Sequence, residues 1–437
     1  MMQPITRFSY RKEEMRMALT TSPRGTADIY GENLLAWLKL ERLIREICRS
    51  FGYQEVRTPL FEHTELFQRG IGEATDIVEK EMYTFTDRGG RSITLRPEGT
   101  APVVRAFLEH KMDQGPLPAK LFYLGPMFRY ERPQAGRYRQ FHQFGLEVLG
   151  SADPLLDVET IVLPLELYKR CGLKGFVVEL NSIGCPSCRP HYREQLKEYV
   201  RPHLGQMCPS CQSRFDRNPL RLLDCKNEAC RKVLADAPVI TEYLCEECAE
   251  HFTQVKSYLG LLGVDYVLNP KLVRGFDYYT RTVFEVTYAG LGAQNAIGAG
   301  GRYDGLVEEV GGNPTPAVGF AVGVERLLLA LADEGAFAAE QPRPDAFIVQ
   351  FGGETKIKAA QLLYDLRRAG LHAEMDHLGR SVRAQMKAAD RLGARWVLIL
   401  GEDELAAGKV KMRNMDRGTE ELVDLTQVKQ HISVREE

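Results

Sequence analysis

The stretch from Lys120 to Gly150 constrains the fold more than any other. Two apolar runs, "KLFYLGPM" and "FGLEVLG", alternate as strands do. Between and within them lies "FRYERPQAGRYRQFHQFGLE", Phe128 to Glu147, with four arginines, three glutamines and two glutamates interleaved with aromatics. Two long strands with a charged connection predict an antiparallel hairpin. A solvated tip accounts for part of that charge. It does not account for an aromatic every few positions, nor for Glu147, which closes the second strand.

The same pattern recurs along the first three quarters of the chain. Glu98, Arg129, Glu131, Gln143, Glu147, Arg274, Tyr279 and Arg326 all stand in or beside apolar runs. Buried charge is costly unless it is paired or faces a polar ligand. Residue by residue, structural ion pairs explain these positions about as well as a ligand does. As a set they carry both signs, with arginines suited to phosphate and carboxylates suited to an amine. A substrate with phosphates and an amino group points to ATP plus an amino acid. The chain has no Gly-x-x-x-x-Gly-Lys-Ser/Thr loop, so it is not a P-loop enzyme. "IGAGGRYDG", from Ile297, resembles a phosphate loop only in its glycines, which also serve close backbone approach.

Periodicity divides the chain. Leu40, Leu43, Ile44 and Ile47 mark an amphipathic helix that stops near Gly52. Strands and helices follow to about residue 330, interrupted between 182 and 262 by a strand-poor, cysteine-rich insertion. Residues 331–342 have linker composition, and 343–437 alternate strand and helix as a separate α/β domain. Residues 1–20 read as an N-terminal extension, with Met17 as a second plausible start. They lack an apolar signal core, and the net charge is −2. A cytoplasmic protein without a membrane span is expected, and any polyanion partner must be held by local basic patches.

Two features carry further chemistry. Of ten cysteines, eight fall between Cys185 and Cys248. Cys185 and Cys188, Cys208 and Cys211, and Cys245 and Cys248 form C-x-x-C pairs, while Cys225 and Cys230 make a looser fourth. Two pairs can close a tetrahedral zinc site, and reduced cysteines without metal are the alternative. After "DHLG", Arg380, Arg383, Lys387, Arg391 and Arg395 follow at spacings of three, four, four and four. Those spacings predict five cations on one face of one helix, a solvated face or a contact for phosphates.

Here the sequence meets a known family. Phe128–Glu147 resembles motif 2 of class II aminoacyl-tRNA synthetases, and "AVGFAVGVERLLLAL" resembles their motif 3. "TSPRGTADIYG" and "FGYQEVRTPLFEH" resemble the opening and motif 1 regions. "TLRPEGT" and "LVRGFDYYTRTVFEV" are similar to segments of histidyl-tRNA synthetases. The resemblance implies an α+β fold: an antiparallel sheet flanked by helices, an inserted small domain and a C-terminal α/β anticodon-binding domain. It implies a homodimer that joins L-histidine to histidine tRNA using ATP with Mg2+. By position, Arg129 and Arg274 flank the α-phosphate. Glu131, Arg137, Phe141 and Arg326 complete the ATP site. Glu98, Thr100 and Gln143 meet the histidine amino group, and Glu147 and Tyr279 its imidazole. Tyr278, Tyr303, Gly319, Ala321 and Gly323 shape the walls. Arg132 and Gln134 lie where the acceptor end would touch, and the helix cations would meet the anticodon stem. Synthetase-like regulatory subunits of histidine biosynthesis keep this fold but typically lack the arginine of "RGFDYY" and the last domain. This chain has both.

Overall fold

The computed structural model describes residues 20–433 apart from 73, 74, 76, 293, 336 and 338–340. The expected N-terminal extension therefore lies, save residue 20, outside the described residues. The chain divides into two compact units, one ending at residue 339 and the other beginning at 340.

An eight-stranded sheet organises the first unit. Its spatial order is Gln54–Glu55, Ala119–Phe128, Gln140–Leu149, Ala317–Gly323, Ala296–Arg302, Thr280–Tyr288, Phe176–Ser182, Val267–Leu268. Only the two outermost pairings are parallel; the rest are antiparallel. The expected hairpin pairs from Ala119 opposite Leu149 to Phe128 opposite Gln140. Strand alternation then sorts the second strand. Phe144, Leu146 and Val148 enter a core shared with the helices Gly31–Ser50, Pro154–Arg170 and Val324–Glu334. Phe141, Gln143 and Glu147 face the other side and line a cavity. The fold is thus α+β, an antiparallel sheet flanked by helices. Pro59 lies between two short strands, Gln54–Glu55 and Phe61–His63, the second of which joins a small sheet with Tyr83–Thr86 and Ser92–Leu95.

Between 183 and 262 the described residues form helices and turns and no strand. The last of these helices, Glu246–Leu261, places Phe252, Val255 and Leu259 in the main core. The sequence groups that helix with the insertion, yet it packs as part of the body. Beneath it, Asp157 and Arg302 form a fully buried ion pair, and His251 Nε2 lies 3.6 Å from Asp157.

The second unit is a five-stranded sheet in the order Ala373–Met375, Ala346–Gln350, Trp396–Leu400, Lys409–Asn414, Glu420–Asp424. Its first three strands are parallel and its last three antiparallel. One expectation needs correction. The basic helix runs only Val382–Arg391. Arg380 precedes it and is tied to Asp376 through its backbone N–H, at 2.8 Å, and its guanidinium. Arg395 follows Gly393, whose left-handed φ of 64° ends the turn, and points to Asp345 at 3.8 Å. The helical stripe is Arg383, Lys387 and Arg391, because capping residues, not charge spacing, set the ends of a helix.

Candidate active site

The cavity on the sheet's second face has a volume of about 800 Å³. Its floor is nearly bare main chain. Across the strands, Ala321 is paired with Ala299 on one side and Gly145 on the other, and Glu147 stands opposite Gly319. A side chain at 319 would collide with the Glu147 carboxylate, so Gly319 is what lets that acid lie flat on the floor. Tyr123 leans across Gly145 and Gly99 in the same way. Small residues on three neighbouring strands make a trough, and charged residues from its rim reach over it.

Two buried acids line the cavity, Glu98 and Glu147. Glu147 is 1% exposed and accepts hydrogen bonds from Thr100 Oγ1, at 2.7 Å, and from the Tyr303 hydroxyl. Burial pushes its carboxyl up to about 8, against the pull of those two donors and helped by nearby Glu98. Glu98 is also buried and raised, first by burial. It caps the helix Thr100–Glu109 by accepting the backbone N–H groups of Thr100, at 2.6 Å, and Ala101, at 2.9 Å. Tyr278 and Tyr279 pack with ring centroids 4.7 Å apart, and Tyr278 meets Tyr303 edge-on.

Arg129, Arg137, Arg274 and Arg326 line it as well. Arg129 donates to the Pro97 carbonyl at 2.8 Å, and its guanidinium lies 5.2 Å from the Phe141 ring centre. Arg326 is fixed by the carbonyls of Ala296, at 2.7 Å, and Gln294. Arg137 bonds Glu131 at 3.1 Å. Arg274 pairs with Glu285 at 2.5 Å, and that carboxylate, outweighing burial, keeps the guanidinium firmly charged. Among the described residues, three polar atoms of the cavity have no protein partner: Gln143 Oε1, Arg274 Nε and Gln294 Oε1.

Two family models match the chain, histidyl-tRNA synthetase over residues 25–186 and 214–327 and an anticodon binding domain over 345–435. A histidine–tRNA ligase of Moorella thermoacetica is 55% identical over 94% of this chain and 97% of its own. The chain belongs to the histidyl-tRNA synthetase family. A second relative, the histidine–tRNA ligase of Pelotomaculum thermopropionicum, is 56% identical over 95% of the chain and 97% of its own. The crystal structure of the apo histidyl-tRNA synthetase of S. aureus is 41% identical, with a TM-score of 0.81, over 95% of this chain and 100% of that one.

The structure brings together Glu98, Thr100, Arg129, Glu131, Arg137, Phe141, Gln143, Glu147, Arg274, Tyr278, Tyr279 and Arg326 around the one cavity. Arg132 and Gln134 stand exposed on the connection beyond it. The resemblance places Tyr279 with Glu147 at the imidazole. In the structure Glu147 holds Thr100 and Tyr303, and Asp277 accepts from Asn218 at 2.8 Å. The residue missed was Glu285. Its signal was an acid inside "TRTVFEVTY", on the face opposite Phe284 and Val286. Also missed was a wall from the insertion, with Arg221, Asp224, Cys225 and Lys226 on the cavity.

Proposed function

We propose that the chain is a histidine–tRNA ligase that works in two steps at this cavity. The histidine carboxylate attacks the α-phosphate of ATP in line, the bond to the β-phosphate oxygen breaks, and histidyl-adenylate and pyrophosphate form. The terminal ribose hydroxyl of histidine tRNA then attacks the acyl carbon and releases AMP. The observation that carries this reading is the meeting of two chemistries around one cavity, the buried acids Glu98 and Glu147 and the arginines Arg129, Arg274 and Arg326.

Arg129 and Arg274 flank the α-phosphate, and adenine rests between Phe141 and Arg326. Arg137 meets the outer phosphates. ATP enters with Mg2+, and the carboxylate oxygens of Glu131 on the cavity wall suit such a hard cation. Glu98, Thr100 and Gln143 take the ammonium group, and Glu147 and Tyr279 the imidazole. The enzyme works in the cytoplasm as a homodimer, through the motif 1 segment in which Leu60 and Phe61 are exposed. No helix among the described residues is long and apolar enough to cross a membrane. The insertion takes structural zinc on cysteine thiolates. Amino-acid-dependent ATP–pyrophosphate exchange tests the reading: histidine alone of the common amino acids should support it. Equal exchange with another amino acid would overturn it.

The second unit reads the tRNA anticodon arm, with Arg383, Lys387 and Arg391 on phosphates. Replacing all three by alanine should raise the KM for tRNA about 10-fold and flatten its salt dependence, since each lost phosphate contact lowers the salt slope. Pyrophosphate exchange should be untouched. An unchanged salt slope for charging would remove the helix from the interface.

A further inference from the structure

The cysteines of the insertion gather as two separate quartets, Cys185, Cys188, Cys245 and Cys248, and Cys208, Cys211, Cys225 and Cys230. Within each, the sulfurs lie within 4.8 Å of one another. In the first, Cys185 to Cys188, Cys185 to Cys245 and Cys188 to Cys248 measure 3.7, 3.8 and 3.9 Å. In the second, Cys208 to Cys225 measures 3.8 Å. A tetrahedron with zinc–sulfur bonds of about 2.3 Å has edges of about 3.8 Å. Backbone N–H groups already point at two of the sulfurs, Cys185 N at Cys188 Sγ and Cys208 N at Cys230 Sγ, both at 3.2 Å. Such outer bonds orient thiolate ligands. Four sulfurs at tetrahedral spacing fit a soft, four-coordinate ion and not an oxygen-seeking one.

The quartets share a neighbour. Three side chains of the insertion reach the segment Arg274–Tyr279, one next to a quartet cysteine and two within the loop that the second quartet closes. Arg189, next in the chain to Cys188, donates to the Tyr279 carbonyl at 2.8 Å. Asn218 and Arg221 lie between Cys211 and Cys225 of the second quartet. Asn218 Nδ2 donates to Asp277 at 2.8 Å, and Arg221 Nη1 to the Arg274 carbonyl at 3.3 Å. Close to the first quartet, the backbone of Gly184 also accepts from Arg281 N at 2.8 Å. The segment so held carries Arg274 and Tyr279, and beyond position 274 it belongs to no helix or strand until Thr280. With little regular structure of its own, it is held by these bonds together with the Asp277 N–H to the Ile71 carbonyl, at 3.3 Å, and the core packing of Tyr278 and Tyr279.

We infer that the chain carries two tetrathiolate zinc sites whose task is to position the Arg274–Tyr279 segment for histidine activation. The inference rests on the zinc reading given above and adds the second ion and its purpose. Closing 211–225 with a metal shortens the leash on Asn218 and Arg221. Closing 185–188 onto 245–248 does the same for Arg189. The cysteines act through these side chains, so they are positioning residues. Removing a ligand should lower the rate of activation more than the binding of ATP or histidine, because small misplacements of a reacting group cost rate steeply.

The test uses the full-length protein, purified without chelator. Elemental analysis should find two zinc ions per chain, one for each quartet. Cys208→Ser should bind one, and its exchange kcat should fall about 10-fold or more while both KM values move less than about threefold. Cys208→His, which still offers a zinc ligand, should bind two and recover most of the rate. If Cys208→Ser does not fold, zinc is withdrawn from the wild type by a chelator and returned. Exchange should fall and recover in step with the metal. A variant or chelated protein lacking a zinc ion but exchanging at the full rate would overturn the positioning role and leave the zinc reading standing. Less than a tenth of an equivalent of zinc in an active wild type would overturn both. Failure of the ligase reading itself would show separately, as no histidine-dependent exchange in the zinc-loaded wild type.

Discussion

Arg274→Ala should slow histidine-dependent pyrophosphate exchange by about 10²-fold or more, the scale of one lost preorganised electrostatic contact. Its side chain sits on the cavity wall with its charge secured by Glu285 and with Nε unanswered by any group among the described residues. A cation so fixed needs no reorganisation when negative charge grows on the α-phosphate, and only charge that grows in the transition state gives rate. Dissociation constants for ATP and histidine should therefore change far less than kcat. Transfer from preformed histidyl-adenylate to tRNA should suffer little. The competing account is that Arg274 merely completes an ion pair. Glu285→Gln separates the two. If the pair is all that matters, breaking it from the Glu285 side should cost as much as removing Arg274. If Arg274 acts on the phosphate, Glu285→Gln should be much the milder change. A folded Arg274→Ala enzyme with near-normal exchange would sink the catalytic role.

Glu147→Gln should weaken histidine binding by about 10²-fold or more while leaving ATP affinity within about threefold. The same change should stabilise the protein at neutral pH. Glu147 is raised to about 8 in the fold, chiefly by burial. In the unfolded chain it ionises near the ordinary value of about 4.3. Between those values the unfolded chain has released a proton that the folded protein retains. Burial of Glu147 therefore costs stability that grows as pH rises through that window. Glutamine, neutral in both states, escapes the cost, and a gain of order 1–3 kcal/mol at pH 7 is expected. Histidine binding should show the complementary signature. Above pH 7 the imidazole is neutral and the ammonium still charged, so a site that uses ionised Glu147 binds more tightly as pH rises toward 8. Calorimetry should find proton release on binding to the wild type and none attributable to this site in the variant. Unchanged histidine affinity in Glu147→Gln would remove it from the imidazole site.

What the sequence reveals is what depends on near neighbours in the chain. Alternation in 140–149 separates Phe144, Leu146 and Val148 from Phe141, Gln143 and Glu147 without a structure, because a strand has only two faces. The same rule would have flagged Glu285. Its partner could not be read, since Asp277 is nearer to Arg274 in sequence and Glu285 nearer in space. The cysteines teach the same lesson. Spacing finds the C-x-x-C pairs, but nothing local tells whether Cys185 and Cys188 close with Cys208 and Cys211 or, as they do, with Cys245 and Cys248. Five cations at helical spacing became three on the helix because Gly393 and the residues before Val382 decide its ends.

The bare floor of the trough has a consequence for inhibition. Point mutation usually defeats an inhibitor by reshaping the surface it rests on, often by trimming a contact side chain. At Gly319 there is nothing to trim, and any addition falls on Glu147, which the enzyme is proposed to need for its own substrate. Ala299 and Ala321 leave one methyl each. A flat compound seated on this main-chain surface would leave the enzyme few ways to escape by reshaping the floor. Resistance would have to arise at the rim, among the arginines and the insertion wall, where change also disturbs the handling of ATP.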